Sequence, residues 1–402
     1  MRVAVIGSRG MPGVHGGIER HVEELYPRLV ERGVEVTVYA RRTYVPRDTE
    51  YRGVRVVSLD SLSGRHTEAI THTARALWHV RRGGYDLVHV HAIGPGLLLP
   101  LARALGFRRS VLTFHALDYK RAKWGRVAKV VLRLSEQVAV RCATAVIAVS
   151  TSGARHLEHK YRRRIHYIPN GPGELTKRPP GALLRRLGLR GGDYVLFVGR
   201  LIPEKCPDDL VAAMTELPEL KVVFAGDSSH TDEYTQRLRT DAGAQALFPG
   251  YVYGSDLEEL YSSALAYVLP SEVEGLSISL LEAMALGLPV VVSNIPGNVE
   301  ALGDPPAGLM YPLRDRHALA VALKSIVEDA ELRTCLGTAA ASRVERAYDW
   351  AAIADRTLEV YKQATSRSPG RKGRQGQDDD KSRGTPYPFH AGKGRLDRGG
   401  CK

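Results

Sequence analysis

Two short segments in the second half of this 402-residue chain carry side chains suited to holding a diphosphate and a polyhydroxyl group. In the first, the apolar run 195–198 ends in Gly199, Arg200 follows at once, and Lys205 comes five residues later. Two cations leaving the end of one strand can converge on a diphosphate whose negative charge grows as a bond to it breaks. In the second, residues 267–287 read as strand, loop, helix and closing glycine. Glu274 ends the loop, and Glu282, eight positions on, lies about two turns away along the helix. Gly275, Leu276 and Ser277 enter that helix, whose unpaired N–H groups and positive dipole end favour a phosphate. Glu282 sits between Leu281 and Ala283. A carboxylate in so apolar a helix needs a polar partner, which sugar hydroxyls supply. Taken singly, the segments also read as a capped helix with a partly exposed Glu and as a pair of surface cations. Side by side above one sheet, they read as a site.

Elements of defined kinds must position these residues. Over 1–170, apolar runs at 2–7, 34–40, 54–59, 86–91, 110–114 and 144–149 alternate with helical patterns at 17–32, 66–82, 95–106 and 120–142. That alternation predicts βα units on a mostly parallel sheet. Residues 169–193, rich in Pro and Gly, read as a linker. Strands at 194–199, 220–226, 266–270 and 289–293 then alternate with helices at 206–216, 231–243 and 277–286, and helical patterns at 315–329, 330–347 and 350–365 follow. The expected fold is α/β, with two Rossmann-like, doubly wound domains facing across a cleft. They span 1–170 and 171–366, the second carrying the terminal helices. Residues 367–402 are dominated by Ser, Gly, Arg, Lys, Asp and Pro and read as a disordered basic tail. Ligands of open α/β sheets bind beyond the carboxyl ends of the strands, which puts both segments beside the cleft.

The first domain offers its own candidates. The loop 6–20 holds Gly16 and Gly17 at the start of a helix. It lacks GxGxxG spacing and a following acidic residue, so it is no dinucleotide fingerprint, and it reads instead as a close backbone approach to a phosphate or sugar. Strand 110–114 runs into His115, which can hydrogen-bond a reacting sugar or be structural, while Asp118 can simply cap the next helix. Residues 119–134 carry Lys120, Arg121, Lys123, Arg126, Lys129 and Arg133, with Trp124, Val127, Val131 and Leu134 at helical spacing. This segment suits an anionic leaflet or a polyprenyl diphosphate, or else packs on its sheet and leaves a solvated basic face.

Charge divides along the chain. Residues 1–170 hold 29 Lys and Arg against 13 Asp and Glu, a net +16; residues 171–366 hold 18 against 27, a net −9; the tail holds 10 against 4, a net +6. The basic half is therefore expected to meet something anionic, though an Arg-rich solubilising surface gives the same count. The four cysteines are scattered without CxxC or His clusters, which argues against a zinc site or disulfide framework and fits a reducing cytoplasm. No apolar run reaches the ~20 residues of a membrane span, and no aromatic-interleaved basic module points to nucleic acid. The expected location is cytoplasmic, extending to the inner face of the cell membrane.

The Gly199-Arg200-Leu201 and Lys205 motif, followed by Glu274 and Glu282, resembles the family-4 retaining glycosyltransferases of GT-B fold. Pro169-Asn170-Gly171 matches that family's hinge signature, and the likeness extends over roughly 1–365. The resemblance implies that Arg200 and Lys205 hold a donor diphosphate, Glu274 contacts the donor sugar, Glu282 takes the ribose hydroxyls, and the backbone at Leu276 and Ser277 meets the phosphates. It implies that Pro249–Val252 cradles the base, that His115 acts at the reacting sugar, and that the loop bearing Gly16 and Gly17 faces the donor and touches the acceptor. Asp118-Tyr-Lys-Arg-Ala-Lys-Trp-Gly125 looks like a bacterial subgroup acting on surface polysaccharides, including rhamnosyltransferases. The implied partners are a UDP-, GDP- or dTDP-sugar and a glycan or polyprenyl-diphosphate-linked acceptor, with no cofactor and no metal. The rival readings are a nucleotide-sugar epimerase of similar fold and a non-catalytic basic binding protein.

Overall fold

Short runs of β-branched residues build two parallel sheets, whose strands are buried on both faces by flanking helices. The computed structural model describes residues 1–13, 16–62, 64, 67–117, 119, 125–228 and 232–366. The first sheet contains β1 (Arg2–Ile6), β2 (Glu35–Arg41), β3 (Thr49–Tyr51), β4 (Val54–Leu59), β5 (Leu87–His91), β6 (Ser110–Phe114), β7 (Ala145–Ala148) and β8 (His166–Tyr167). Their order is β3-β4-β2-β1-β5-β6-β7-β8, and only β3 runs antiparallel to its neighbour. Between the strands lie α1 (Gly17–Val30), α2 (Glu68–Val80), α3 (Ile93–Gly96), α4 (Leu99–Ala104), α5 (Arg126–Cys142) and α6 (Thr151–Tyr161).

The second sheet has six parallel strands, β9 (Tyr194–Val198), β10 (Lys221–Ala225), β11 (Ala246–Gly250), β12 (Ala266–Leu269), β13 (Val290–Ser293) and β14 (Leu309–Tyr311), ordered β11-β10-β9-β12-β13-β14. Its helices are α7 (Ala182–Leu187), α8 (Pro207–Met214), α9 (Asp232–Ala242), α10 (Gly254–Ser263), α11 (Ile278–Ala285), α12 (Pro296–Leu302), α13 (Arg316–Glu328) and α14 (Ala330–Ala347), with α15 (Trp350–Ser366) last. Both units are Rossmann-like. In each, strand order reverses at the first strand: β1 lies between β2 and β5, and β9 between β10 and β12. Crevices open where the order reverses, so the glycine-rich loop after β1 and the Gly199-Arg200 turn after β9 occupy equivalent places.

Three departures from the sequence reading have physical causes. The expected helix 95–106 is two short pieces, α3 and α4, because Gly94, Pro95, Gly96 and Pro100 interrupt it. The expected linker 169–193 contains α7, whose first N–H groups are met by a distant carboxylate: Glu259 accepts from Gly181 N at 2.7 Å and Leu184 N at 2.8 Å. Pro249 and Gly250, outside every strand expected from the sequence, end β11 at the sheet edge, where a missing N–H is tolerated.

The placement of α15 also differs from chain order. Its buried residues Trp350, Ile353, Ala354, Val360, Tyr361 and Ala364 pack with Val3, Val5, Val22 and Leu25 of the first unit, not with the second. Trp350 Nε1 donates to the Pro172 carbonyl at 2.6 Å, so the two stretches that cross between the units touch each other. The tail 367–402 lies outside the described residues. Among the described residues no helix is long and apolar enough to cross a membrane.

Candidate active site between the two sheets

At the carboxyl end of β9 the chain turns sharply. A β-carbon on Gly226, just past β10, would lie 1.9 Å from the Gly199 carbonyl oxygen, so the two strand ends approach too closely for any side chain there. Half-buried Arg200 leaves this turn, and a short 3-10 turn at Pro203–Lys205 aims Lys205 back over the sheet. There Lys205 Nζ pairs with Glu274 Oε1, both side chains less than a fifth exposed. The structure thus brings two of the predicted residues, Lys205 and Glu274, together, with Arg200 leaving the turn that precedes Lys205. Just beyond Glu274, Ser277 precedes α11 in extended conformation, its hydroxyl 3.1 Å from Ser279 Oγ and not capping a backbone N–H, which leaves the first-turn N–H groups of α11 without a side-chain cap. Leu276 and Ser277 are buried.

Glu282, one helical turn and more beyond the cap, is buried and accepts from the Tyr261 hydroxyl at 3.1 Å. Its opposite charge comes from the other unit: Arg20 Nε in α1 stands 3.6 Å from Glu282 Oε1. Burial pushes the Glu282 carboxyl above the usual range, with Arg20 and the Tyr261 hydrogen bond pulling it down. Burial likewise opposes the Arg20 charge, but Glu282, Glu23 and Glu24 outweigh it and raise its pKa. A β-carbon on Gly173 would sit 2.6 Å from Glu282 Oε1 and 2.4 Å from the Arg20 guanidinium, so the crossing strand is pressed against this pair. A raised carboxyl pKa means that its contribution to stability falls as pH rises through the interval above the ordinary 4.5. Glu282→Gln is therefore expected to keep or raise Tm at pH 7 while weakening nucleotide binding, measured by thermal shift with UDP, GDP and dTDP. A lower Tm with nucleotide affinity intact would give Glu282 a purely structural role.

His115 follows β6 and is half-buried at the seam between the units. Its carbonyl oxygen lies where a β-carbon on Gly275 would come within 2.1 Å, so backbone meets backbone across the cleft. A second cross-link is Asn170, whose Nδ2 donates to the Leu276 carbonyl at 2.9 Å while its Oδ1 lies 2.9 Å from His21 Nδ1. Oδ1 can only accept, so His21 carries its proton on Nδ1. The His21 ring stands edge-on to His115 with centroids 5.1 Å apart.

The remaining candidates divide. Gly16 has φ +97°, and a β-carbon there would meet the Glu19 carboxylate at 2.5 Å, whereas one on Gly17 would meet no protein atom within 4 Å. Val252 is half-buried just past β11, between Tyr251 and Tyr253, whose rings stack 6.2 Å apart. The Tyr251 hydroxyl donates to the Asp227 carbonyl at 3.0 Å. Burial and Asp227 raise its pKa, while Arg200 and Arg9 lower it, so cations of both units act on this tyrosine. Arg126 is exposed at the start of α5. Lys120, Arg121, Lys123, Trp124 and Asp118 lie outside the described residues.

Sequence reasoning gave no role to Arg20, Tyr261, His21 or His91. Arg20 carried a usable signal: a cation in the first turn of a helix stands against the dipole and calls for an anion nearby. Asn170 was seen only as part of a hinge signature. Among the described residues no group of three or more His, Cys, Asp or Glu side chains could hold a metal ion.

The pattern described as Glycosyltransferase Family 4 matches residues 15–172, and the one described as Glycosyl transferases group 1 matches residues 185–343. The chain is 30% identical over 395 residues to alpha-maltose-1-phosphate synthase of Mycolicibacterium smegmatis, covering 91% of this chain and 100% of that protein. It is 29% identical over 433 residues to D-inositol 3-phosphate glycosyltransferase of Kineococcus radiotolerans, covering 92% and 97%. Sucrose-phosphate synthase of Thermosynechococcus elongatus superposes with a TM-score of 0.77 at 25% identity, covering 90% of this chain and 98% of that one. Anabaena HepE in complex with UDP and glucose shares the fold with a TM-score of 0.74 at 19% identity, covering 90% and 99%. Two parallel sheets meeting at a cation–carboxylate site, with one pattern on each, make this chain a glycosyltransferase of GT-B type that belongs to family 4, group 1.

Proposed function

We propose that the chain transfers a hexose or deoxyhexose from a UDP-, GDP- or dTDP-sugar to an acceptor hydroxyl with retention of anomeric configuration, in the making of a cell-surface polysaccharide or glycolipid. The observation that carries this reading is the Lys205–Glu274 pair, its glutamate one residue before Gly275, whose backbone closes on the His115 carbonyl across the cleft, followed by the start of α11. A diphosphate sugar divides that ion pair. Its phosphates take Lys205, Arg200 and the helix N–H groups, and its hydroxyls take Glu274. Glu282 takes the ribose hydroxyls, and Gly16, Gly17 and Gly275 allow close backbone approach. The acceptor oxygen attacks the anomeric carbon on the face that the diphosphate leaves; the new C–O bond forms as the old one breaks, and the hydroxyl proton passes to the departing phosphate oxygen. The two cations and the helix dipole stabilise the leaving charge, so the reaction proceeds without a metal.

The acceptor side belongs to the basic unit. The two relatives named for inositol 3-phosphate and maltose 1-phosphate chemistry support a phosphate-bearing partner there. Val127, Val130, Val131 and Leu134 of α5 recur at helical spacing, and all are exposed, Val127 by 78%. Arg126, Lys129 and Arg133 run along one flank, while Ser135, Glu136, Ala139 and Val140 face the interior. An apolar stripe not used by the fold, edged by cations, suits an anionic leaflet carrying a polyprenyl-diphosphate-linked sugar.

The test is transfer from each nucleotide sugar to such an acceptor in phosphatidylglycerol vesicles, with the product linkage read by NMR. A retained anomer and flotation with phosphatidylglycerol but not phosphatidylcholine vesicles are expected, the flotation being lost in Val130→Asp. An inverted anomer rejects retention, donor conversion without acceptor makes the chain an epimerase, and equal flotation with both vesicles removes the membrane contact.

A further inference from the structure

His89 and His91 lie two residues apart in β5 and so share one face of the sheet, and both rings are fully buried. A continuous line of hydrogen bonds runs through them. Thr113 Oγ1 lies 2.7 Å from His89 Nε2, and His89 Nδ1 lies 2.9 Å from the Tyr26 hydroxyl. The same hydroxyl is 2.6 Å from His91 Nε2, and His91 Nδ1 is 3.0 Å from His115 Nε2. The His89 and His91 rings stack at 4.5 Å, and the His91 and His115 rings at 5.3 Å. Tyr361 of α15 is a side branch, its hydroxyl 2.6 Å from His89 Nδ1. The line begins beneath the last helix and ends at the cleft.

Burial, with a smaller push from His21, lowers His89 to about 3, and burial with the neighbouring histidines takes His91 well below its usual value. Both rings are therefore neutral near pH 7, each with one N–H and one bare nitrogen, and Tyr26 and Thr113 have one O–H each. One proton per hydrogen bond leaves two uniform directions. In the first, Thr113 donates to His89, His89 to Tyr26, Tyr26 to His91, and His91 to His115 Nε2, so that His115 bears its own proton on Nδ1. In the second, every bond reverses: His115 donates from Nε2 and presents Nδ1 as a lone pair. From Tyr26 through His91 to His115, a mixed line sets two donors or two lone pairs against each other in a buried place, where unmet polar groups are most costly, whereas at His89 Nδ1 the Tyr361 hydroxyl can serve as either donor or acceptor.

We propose that Tyr26 and His91 are positioning residues for sugar transfer: through this line they fix which ring nitrogen of His115 carries its proton. The proposal rests on the reading above in which His115 meets the reacting sugar. It extends the site back to a tyrosine of α1 that no substrate touches, and it gives two wholly buried histidines a chemical reason to be polar.

Tyr26→Phe removes the central oxygen and keeps the ring. In the full-length enzyme its kcat is expected to fall about 10-fold or more, with the donor KM within about threefold of wild type. Tyr361→Phe makes the same deletion at the side branch and is expected to cost a similar Tm without that loss of rate. Imidazole 15N NMR, with His115 signals identified through His115→Gln, should show one tautomer in the wild type and a mixture in Tyr26→Phe. Unchanged kcat and tautomer in Tyr26→Phe, or an equal loss of rate in Tyr361→Phe, overturns the proposal. Full transfer by His115→Ala instead defeats the reading beneath it, and the tautomer change in Tyr26→Phe then decides the line separately.

Discussion

Lys205→Ala is expected to lower kcat by about 10²- to 10³-fold, with a much smaller change in Tm. The ammonium is the partner of Glu274, three residues before the Ser277 that precedes α11. On the proposed reading its loss both removes a charge from the departing diphosphate and leaves the Glu274 carboxylate without its cation beside the phosphates. The first effect acts mainly in the transition state, where the negative charge on the leaving group is largest. The second weakens donor binding as well, so kcat/KM falls further than kcat. Single-turnover transfer with saturating donor separates the two, and wild-type kcat in Lys205→Ala would remove Lys205 from the diphosphate site. Lys205→Ala combined with Glu274→Gln should recover donor affinity in part but not kcat, because the repulsion goes and the missing charge stays missing.

Gly275→Ala is expected to cost about 10²-fold in kcat, of the order that a misplacement of ~1 Å brings. A β-carbon at 275 would lie 2.1 Å from the His115 carbonyl oxygen, and the Gly275 carbonyl is itself 2.3 Å from where a β-carbon on Gly297 would stand. Backbone closes on the residue from two sides, so no side chain can swing away to make room, and the two units must part. Small-angle scattering should show a larger radius of gyration for the variant, and transfer should slow. Wild-type kcat with an unchanged radius would mean that the seam at His115 does not need to stay closed.

Legibility in the sequence followed chain distance. Gly199, Arg200 and Lys205 sit in one short stretch after a strand and Glu274 and Glu282 in another, and the ends of adjacent strands β9 and β12 let Lys205 meet Glu274. The parallel sheets were equally plain, since runs such as Val290-Val-Val and Leu87-Val-His-Val are interrupted by helical patterns at even intervals. What the sequence hid were partnerships across the fold. Arg20 answers to Glu282, Asn170 to Leu276, and Glu259 caps α7; in each case the group that explains the residue lies far along the chain. The histidines of β5 read as polar positions in an apolar strand, and only the tertiary fold brings Tyr26 and His115 to either side of them. For α5, periodicity could give the apolar stripe but not its exposure, because a stripe facing water and a stripe facing a core have the same spacing.

The return of α15 to the first sheet bears on how the protein is made. Trp350, Ile353, Ala354, Val360, Tyr361 and Ala364 cover α1 and the neighbouring core of the first unit. While the ribosome is still reading the second half, that face is open and its apolar residues are bare. A nascent chain of this kind can settle the second unit, whose strands and helices are contiguous from Ala182 to Ala347, before the first is sealed. The half synthesised first is the half completed last. A premature stop near position 348 would release a molecule with every predicted donor-site residue present and its first unit uncovered, and such a product is expected to be cleared by chaperones and proteases or to aggregate.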